Sequence, residues 1–295
     1  SSDLDQVIEL DKQRRDILQK VEGLRADRNQ GSKEIPKMED PEKRQEKIEE
    51  MRAIGERIDD LDEELDQVEA DLDRLLATFP NIPDDSTPIG EDESDNVVLR
   101  EVGELPIFDF DPQPHWDLGP ALGIMDFERG VKLSGSRFYV LNGAGARLQR
   151  ALITFMLDSL LEQGYTERYT PFMVKGEIVY ASGQLPKFED NLYHDHEEDY
   201  WWVPTAEVPL TGLHKDEIFE DEDLPQDYAA YTPCFRREKM SAGRDVRGIK
   251  RGHQFDKVEM YVYCRPEESQ AKFEQMMADA ERVCQRLELP YRVNQ

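Results

Sequence analysis

A seven-residue apolar rhythm runs through residues 1–78, and few folds can carry one. Met51, Ile54, Ile58, Leu61, Leu65, Val68, Leu72 and Leu75 succeed one another at alternating intervals of three and four, the spacing of a coiled-coil seam. Val7, Leu10, Ile17, Val21 and Leu24 keep the same rhythm earlier, with Arg14 and Arg28 standing in the seam. Gly31, Pro36 and Pro41 break the pattern between the two runs. The prediction is two helices folded back as an antiparallel hairpin, each about 45–50 Å long at 1.5 Å per residue.

Charge divides this hairpin. Residues 59–73 are almost wholly acidic among their polar positions. Near the turn, Arg25, Arg28, Lys33, Lys37, Lys43, Arg44 and Lys47 bring the local balance to about neutral. The whole chain carries 65 acids against 37 bases, a formal net charge of -28. Such an excess opposes nonspecific binding to nucleic acid and also fits a salt-rich habitat, but it leaves room for a polyanion where bases are concentrated. On its residues alone the hairpin reads as an interaction arm.

The remainder divides into a proline-rich acidic linker and domain entry at residues 79–118 and a second domain at residues 119–295. Residues 119–142 hold short strand and turn candidates around Gly130, Gly135 and Phe138. An amphipathic helix follows over residues 144–162, with Leu148, Leu152, Ile153, Phe155, Met156 and Leu160 as its stripe and Gly164 as its stop. A strand at residues 165–169 leads to Thr170 and Pro171. A further helix at residues 266–287 turns Phe273, Met276, Met277, Ala280, Val283, Cys284 and Leu287 inward, and a strand begins at Leu289. The three cysteines, Cys234, Cys264 and Cys284, point to reduced thiols and a cytoplasmic protein. No zinc-type Cys/His spacing exists, and His194, Asp195 and His196 read as an acidic surface loop. No apolar run is long enough to span a bilayer.

Residues 232–259 concentrate the chemistry. Two strand-like arms flank a loop with Gly243, Gly248 and Gly252, whose Lys239, Arg244, Arg247, Lys250 and Arg251 stand against a single acid, Asp245. Clustered bases on a glycine-bearing loop form a recurrent anion-binding device. Alternation along a strand puts Arg236 and Glu238 on one face of the first arm, and His253, Phe255, Lys257 and Glu259 on one face of the second. A guanidinium, two carboxylates and an aromatic ring suit a phosphate, an amine or amide edge, and a flat base.

The stretch resembles the second signature motif of class II aminoacyl-tRNA synthetases in its seryl-tRNA synthetase form: F-R-x-E at residues 235–238, G-R-D-x-R-G at 243–248 and R-x-H-Q-F-x-K-V-E at 251–259. Lys239, Met240 and Ser241 replace the Ala-Gly-Ser often found after the first element. The resemblance implies an α+β fold: an N-terminal antiparallel two-helix coiled-coil arm that grips tRNA, then an antiparallel class II sheet domain with flanking helices. That sheet domain is expected to be incomplete, because nothing here matches the third motif.

The implied reaction joins serine to tRNA(Ser) through seryl-adenylate, with ATP as substrate. Magnesium is expected alongside ATP, held from outside this chain. By motif position, Arg236 bridges the α-phosphate and the serine carboxylate, Glu238 accepts from the adenine amino group, and Phe255 stacks on adenine. Arg237, Gly252, His253 and Gln254 complete the ATP site. Glu259 pairs with the serine ammonium, assisted by Thr205, Ala206 and Glu207. Arg244, Arg247 and Arg251 face tRNA, as do Arg28, Lys33, Lys37, Lys43, Arg44 and Lys47 on the arm. Arg236, Glu238 and Glu259 form the catalytic set. Residues 144–171 take the place of the family's dimer-forming helix and strand, implying a homodimer, although a plain core helix and strand fits equally well. Two other readings are an amino acid:carrier-protein ligase, which has no use for the arm, and a non-catalytic tRNA-binding or scaffolding fragment. Serine-dependent ATP–pyrophosphate exchange separates all three.

Overall fold

The computed structural model describes residues 3–239 and 247–295. The chain divides into two compact units, Ser1–Ile82 and Pro83–Gln295.

In the first unit, α1 (Asp3–Glu34) and α2 (Pro41–Leu76) are joined through a 3-10 turn at Ile35–Lys37. Proline at the first helical position costs α2 no hydrogen bond. The Asp40 carboxylate caps that helix, accepting from the Glu42 and Lys43 amides at 3.0 and 3.4 Å. Ile17, Val21, Ile58, Leu61 and Val68 form the buried seam, with Leu10, Leu24, Ile54 and Leu65 packed against it.

Gly31, expected to end the first helix, instead lies inside α1 and is buried. A Cβ there would overlap the Met51 sulfur, so the missing side chain lets a large residue of α2 close in. Arg28 is accommodated in the same way: its guanidinium lies over Gly55, where a Cβ would stand 3.3 Å from the Arg28 Cζ.

The second unit is mixed α and β. Its elements are β1 (Val98–Val102), α3 (His115–Ala121), β2 (Met125–Asp126), α4 (Phe127–Ser134), β3 (Val140–Leu141) and α5 (Ala144–Leu161). They continue with β4 (Thr166–Glu167), β5 (Met173–Lys175), α6 (Gly176–Ala181), β6 (Tyr200–Trp202) and α7 (Glu207–Gly212). Last come β7 (Gln226–Phe235), β8 (Gln254–Tyr263), α8 (Ser269–Arg286) and β9 (Tyr291–Asn294). The central sheet runs β4–β7–β8, with β7 and β8 antiparallel over their full lengths and β4 parallel to β7. Antiparallel pairs join β1 to β9, β2 to β3 and β5 to β6. Among the described residues no helix is long and apolar enough to cross a membrane.

Several expectations are corrected. Within residues 119–142 the strand expected at Val140–Leu141 forms as β3 and a turn follows Gly135, but Gly130 lies inside the helix α4, which the Asp126 carboxylate caps by accepting from the Arg129 amide at 2.8 Å. On α5, Leu148 is 58% exposed instead of inward, while Ser159 and Leu160 are buried. On α8, Phe273 and Ala280 face outward and Asp279 is the buried residue. The Tyr165 hydroxyl donates to Asp279 at 3.1 Å, so the carboxylate enters the interior with a partner. Burial and that carboxylate push the Tyr165 pKa well up.

The close approaches give a paired prediction. Gly130 of α4 lies against the Phe138–Tyr139 backbone, which cannot give way to a Cβ, whereas Gly23 of α1 has open space around it. By thermal and urea unfolding, Gly130→Ala is expected to cost the second unit about 1–3 kcal/mol. Gly23→Ala is expected to stabilise the arm by about 0.5–1 kcal/mol. Equal effects would contradict this packing.

Candidate active site

The β7–β8 ladder sets the site. Cys234 pairs with Phe255, Thr232 with Lys257 and Ala230 with Glu259. One face of β8 turns to the core: Val258 and Met260 pack beside the buried Leu160, Tyr165 and Ala229. On that same face Asp256 accepts from the Tyr231 hydroxyl at 2.7 Å. The other face carries Phe255, Lys257 and Glu259 at successive two-residue steps, about 6.5–7 Å each.

Glu259 sits in a cradle built by the turn into α7. Its Oε2 accepts from the Thr205 hydroxyl at 2.5 Å and from the Glu207 amide at 3.0 Å. Lys257 Nζ donates to Glu259 Oε1 at 3.0 Å and to Thr205 Oγ1 at 2.6 Å. Ala206 is fully buried with Leu210, Tyr228 and Ala230, so it holds the turn through packing and its backbone. Glu207 stands near a second carboxylate. Burial pushes its pKa up, Glu259 adds to that, and Lys257 and Arg236 oppose it.

At the other end of the row, the Arg236 guanidinium lies over the Phe255 ring, 5.1 Å from its centroid, with Nε donating to the Pro204 carbonyl at 3.1 Å. Regular strand geometry ends at Phe235, and Glu238 has the left-handed φ of 52°. The expectation that alternation alone aligns Arg236 and Glu238 therefore does not carry past that point. Interactions place Glu238 instead. Its carboxylate, 9% exposed, faces Arg251 Nη1 at 3.4 Å, and its carbonyl accepts from Arg137 Nη1 at 3.2 Å. The Arg137 carbonyl in turn accepts from the His253 amide at 3.1 Å. A Cβ on Gly252 would crowd that carbonyl at 3.3 Å and the Tyr139 ring at 3.1 Å, so Gly252 permits the close approach.

His253 lies just ahead of β8, which begins at Gln254. It stacks on Phe138, and its Nδ1 meets the Arg236 carbonyl at 2.9 Å and the Tyr193 hydroxyl at 3.0 Å. Arg237 also turns aside, donating to the Leu192 carbonyl at 2.7 Å and lying over Tyr193. Gln254 is exposed at the mouth of a cavity of about 300 Å³ with Phe138, Tyr139 and Phe255. Arg247 lies over Trp116, whose neighbour His115 accepts from the Ile249 amide at 3.0 Å. Arg244 lies outside the described residues. The structure thus brings Thr205, Glu207, Arg236, Phe255 and Glu259 together and anchors Glu238 through Arg251. It shows Arg237 and His253 bracing the segment around Tyr193. Sequence reasoning passed over Arg137, His115 and Trp116, which lie over a hundred residues from their partners and leave no local signal. It gave Lys257 a face but no role.

Two family models match the chain. Residues 1–83 match the family described as the seryl-tRNA synthetase N-terminal domain. Residues 187–295 match the tRNA synthetase class II core domain (G, H, P, S and T). A serine–tRNA ligase from a Roseiflexus species is 60% identical over 292 residues, covering 99% of this chain and 69% of that relative. One from Chloroflexus aurantiacus is 55% identical, covering 98% and 68%. Among solved structures, seryl-tRNA synthetase from Pyrococcus horikoshii complexed with ATP superposes with a TM-score of 0.91 at 40% identity, covering 98% of this chain and 70% of that one. The cytoplasmic enzyme of Naegleria fowleri in complex with AMP gives 0.83 at 31% identity, covering 99% and 68%.

The raised pKa of Glu207 has a measurable sign. A carboxyl group whose folded-state pKa is raised contributes stability below its unfolded pKa and loses it as pH rises through the folded value. Glu207→Gln, which resembles the protonated form, is therefore expected to raise the thermal midpoint at neutral pH and flatten its decline from the ordinary carboxylate range upward. A lowered midpoint at neutral pH would show that the ionised carboxylate is stabilised in place.

Proposed function

The chain belongs to the seryl-tRNA synthetase family, and from that premise we propose how its residues carry out serine–tRNA ligation. The reaction has two steps. A serine carboxylate oxygen attacks the α-phosphorus of ATP, the bond to the β-phosphate oxygen breaks, and pyrophosphate leaves with the electron pair. A terminal ribose hydroxyl of tRNA(Ser) then attacks the carbonyl carbon of seryl-adenylate, AMP leaves, and the hydroxyl proton is released.

The observation that carries the assignment is the order along β8: aromatic ring, ammonium, carboxylate. Seryl-adenylate has the complementary order, with a flat base at one end, an anionic phosphate joined to the serine carbonyl in the middle, and an ammonium at the other end. Phe255 takes adenine, Glu259 takes the serine ammonium with Thr205 and Glu207, and Arg236 spans the anionic centre. Arg236 suits two anionic groups because its planar fork donates in two directions. Glu238, fixed by Arg251 and Arg137, accepts from the adenine amino group. Gly252 and Gln254 bound the base pocket, with Arg237 and His253 bracing its wall. No residue needs to form a covalent bond; positioning and neutralisation of developing charge supply the rate. ATP-bound magnesium belongs to the reading, but among the described residues no group of three or more His, Cys, Asp or Glu is placed to hold a metal ion. No step here is assigned to one.

The partners follow from the same reading. Arg28, Lys33, Lys37, Lys43 and Arg44 are exposed near the arm's turn. Lys47 is tied to Glu50 at 2.8 Å, which raises its pKa. These six bases grip tRNA, and Arg247 and Arg251 approach it beside the active site; Arg244, outside the described residues, shares that role by motif position alone. A second copy of the chain covers residues 144–171, where Leu148, Leu161 and Tyr169 are 58%, 40% and 82% exposed. The buried Arg168 Nε and Thr170 Oγ1 there find no hydrogen-bond partner among the described residues. The free thiols of Cys234, Cys264 and Cys284 are in keeping with a cytoplasmic enzyme. The arm disfavours the carrier-protein alternative, and the organised cradle disfavours a binding-only role.

Serine-dependent ATP–pyrophosphate exchange tests the assignment. Removing one member of a desolvated charge pair costs about 2–5 kcal/mol, so Glu259→Gln is expected to raise the serine KM far more than the ATP KM. Equal losses for both substrates would contradict it. Neutralising the six arm bases is expected to weaken tRNA binding and flatten its dependence on salt, because fewer counterions are released. Exchange should stay intact, and unchanged tRNA affinity at every salt concentration would overturn the arm assignment.

A further inference from the structure

The cradle for the substrate ammonium already holds an ammonium. Lys257 Nζ contacts Thr205 Oγ1 and Glu259 Oε1, the groups assigned above to serine. It is the more exposed of the two: its side chain is 30% exposed, against 19% for Glu259, and it reaches the carboxylate from two residues away on the same strand face. Glu259, by contrast, is held by the Thr205 hydroxyl and the Glu207 amide as well. A second ammonium cannot share this place with Lys257 without like-charge repulsion in a partly desolvated site.

We propose that Lys257 is a built-in stand-in for the substrate ammonium, displaced when serine binds, and that its freed ammonium then moves along the strand to the substrate's carboxylate. The inference rests on the serine reading of Glu259. Its geometric basis is the position of Lys257 in the row, between Phe255 and Glu259, opposite Thr232. One two-residue step separates Lys257 from the ammonium cradle on one side and from the base platform on the other, so the middle of the row is where the ligand's anionic centre lies. Swapping partners keeps every charge compensated: Glu259 exchanges one ammonium for another, and Lys257 exchanges one carboxylate for another.

This makes Lys257 a specificity-determining residue. A ligand must bring both charges. A carboxylate without an amine cannot dislodge Lys257, and an amine without a carboxylate leaves the displaced ammonium unpaired. The cluster thus selects amino acids over amines and hydroxy acids before any side chain is read.

The test compares serine with serinamide, which keeps the ammonium and hydroxyl and lacks the carboxylate, by calorimetric titration against the full chain, its Lys257→Met variant and its Lys257→Arg variant. The parent is expected to prefer serine strongly. In Lys257→Met no ammonium has to be displaced or re-paired, so serinamide is expected to bind about tenfold tighter than to the parent, and serine about tenfold weaker once a charge-assisted partner for its carboxylate is gone. Lys257→Arg keeps the charge and is expected to keep the serine preference, which guards against a failure of Lys257→Met to fold. Equal fold-changes for the two ligands in Lys257→Met, or loss of the serine preference in Lys257→Arg, would overturn the swap while serine binding itself stands. Serine binding that is indifferent to Glu259→Gln would overturn the serine reading and this inference with it.

Discussion

The unbroken antiparallel ladder between β7 and β8 is the constraint on which the site depends. Its register holds from Gln226 opposite Tyr263 to Phe235 opposite Gln254. Because side chains alternate along a strand, this register turns Val258 and Met260 to the core and keeps Phe255, Lys257 and Glu259 on the other face. A slip by one residue would bury the charged row and expose the apolar one. Even Pro233 respects the ladder. It lies beyond the short stretch where β4 pairs with β7, so its missing donor leaves no bond unmade on that side.

Around that ladder the functional groups are fixed by short polar contacts from distant segments. The turn at Thr205 supplies a hydroxyl and an amide to Glu259. Arg137 supplies a guanidinium to the Glu238 carbonyl and a carbonyl to the His253 amide. The result is a pocket in which opposite charges lie in a fixed order, with the Glu207 pKa pushed up by burial first and by Glu259 second.

Much of this was legible in the chain. The heptad rhythm read out the arm, because a seam of Ile58, Leu61 and Val68 can be buried only against a matching helix. The long motif at residues 235–259 marked the row of side chains that the β7–β8 register sets on one face. Gly31 was misread because a glycine that ends a helix and one that admits Met51 look alike in sequence. The inward faces of α5 and α8 were misjudged at Leu148, Phe273 and Ala280, since periodicity shows a stripe without showing how wide a neighbour covers it. Asp279 was invisible as a buried residue because its partner, Tyr165, lies 114 positions away. α4 left a signal that went unused: Asp126, three residues ahead of the amide it caps.

The central claim is that one face of β8 reads a ligand from base to anion to ammonium. A crystal structure of the chain with the non-hydrolysable sulfamoyl analogue of seryl-adenylate tests it directly. The account predicts the purine against Phe255, the sulfamate and carbonyl near Arg236, and the serine ammonium on Glu259 and Thr205. An analogue bound in the reverse order, or seated away from this row, would contradict it.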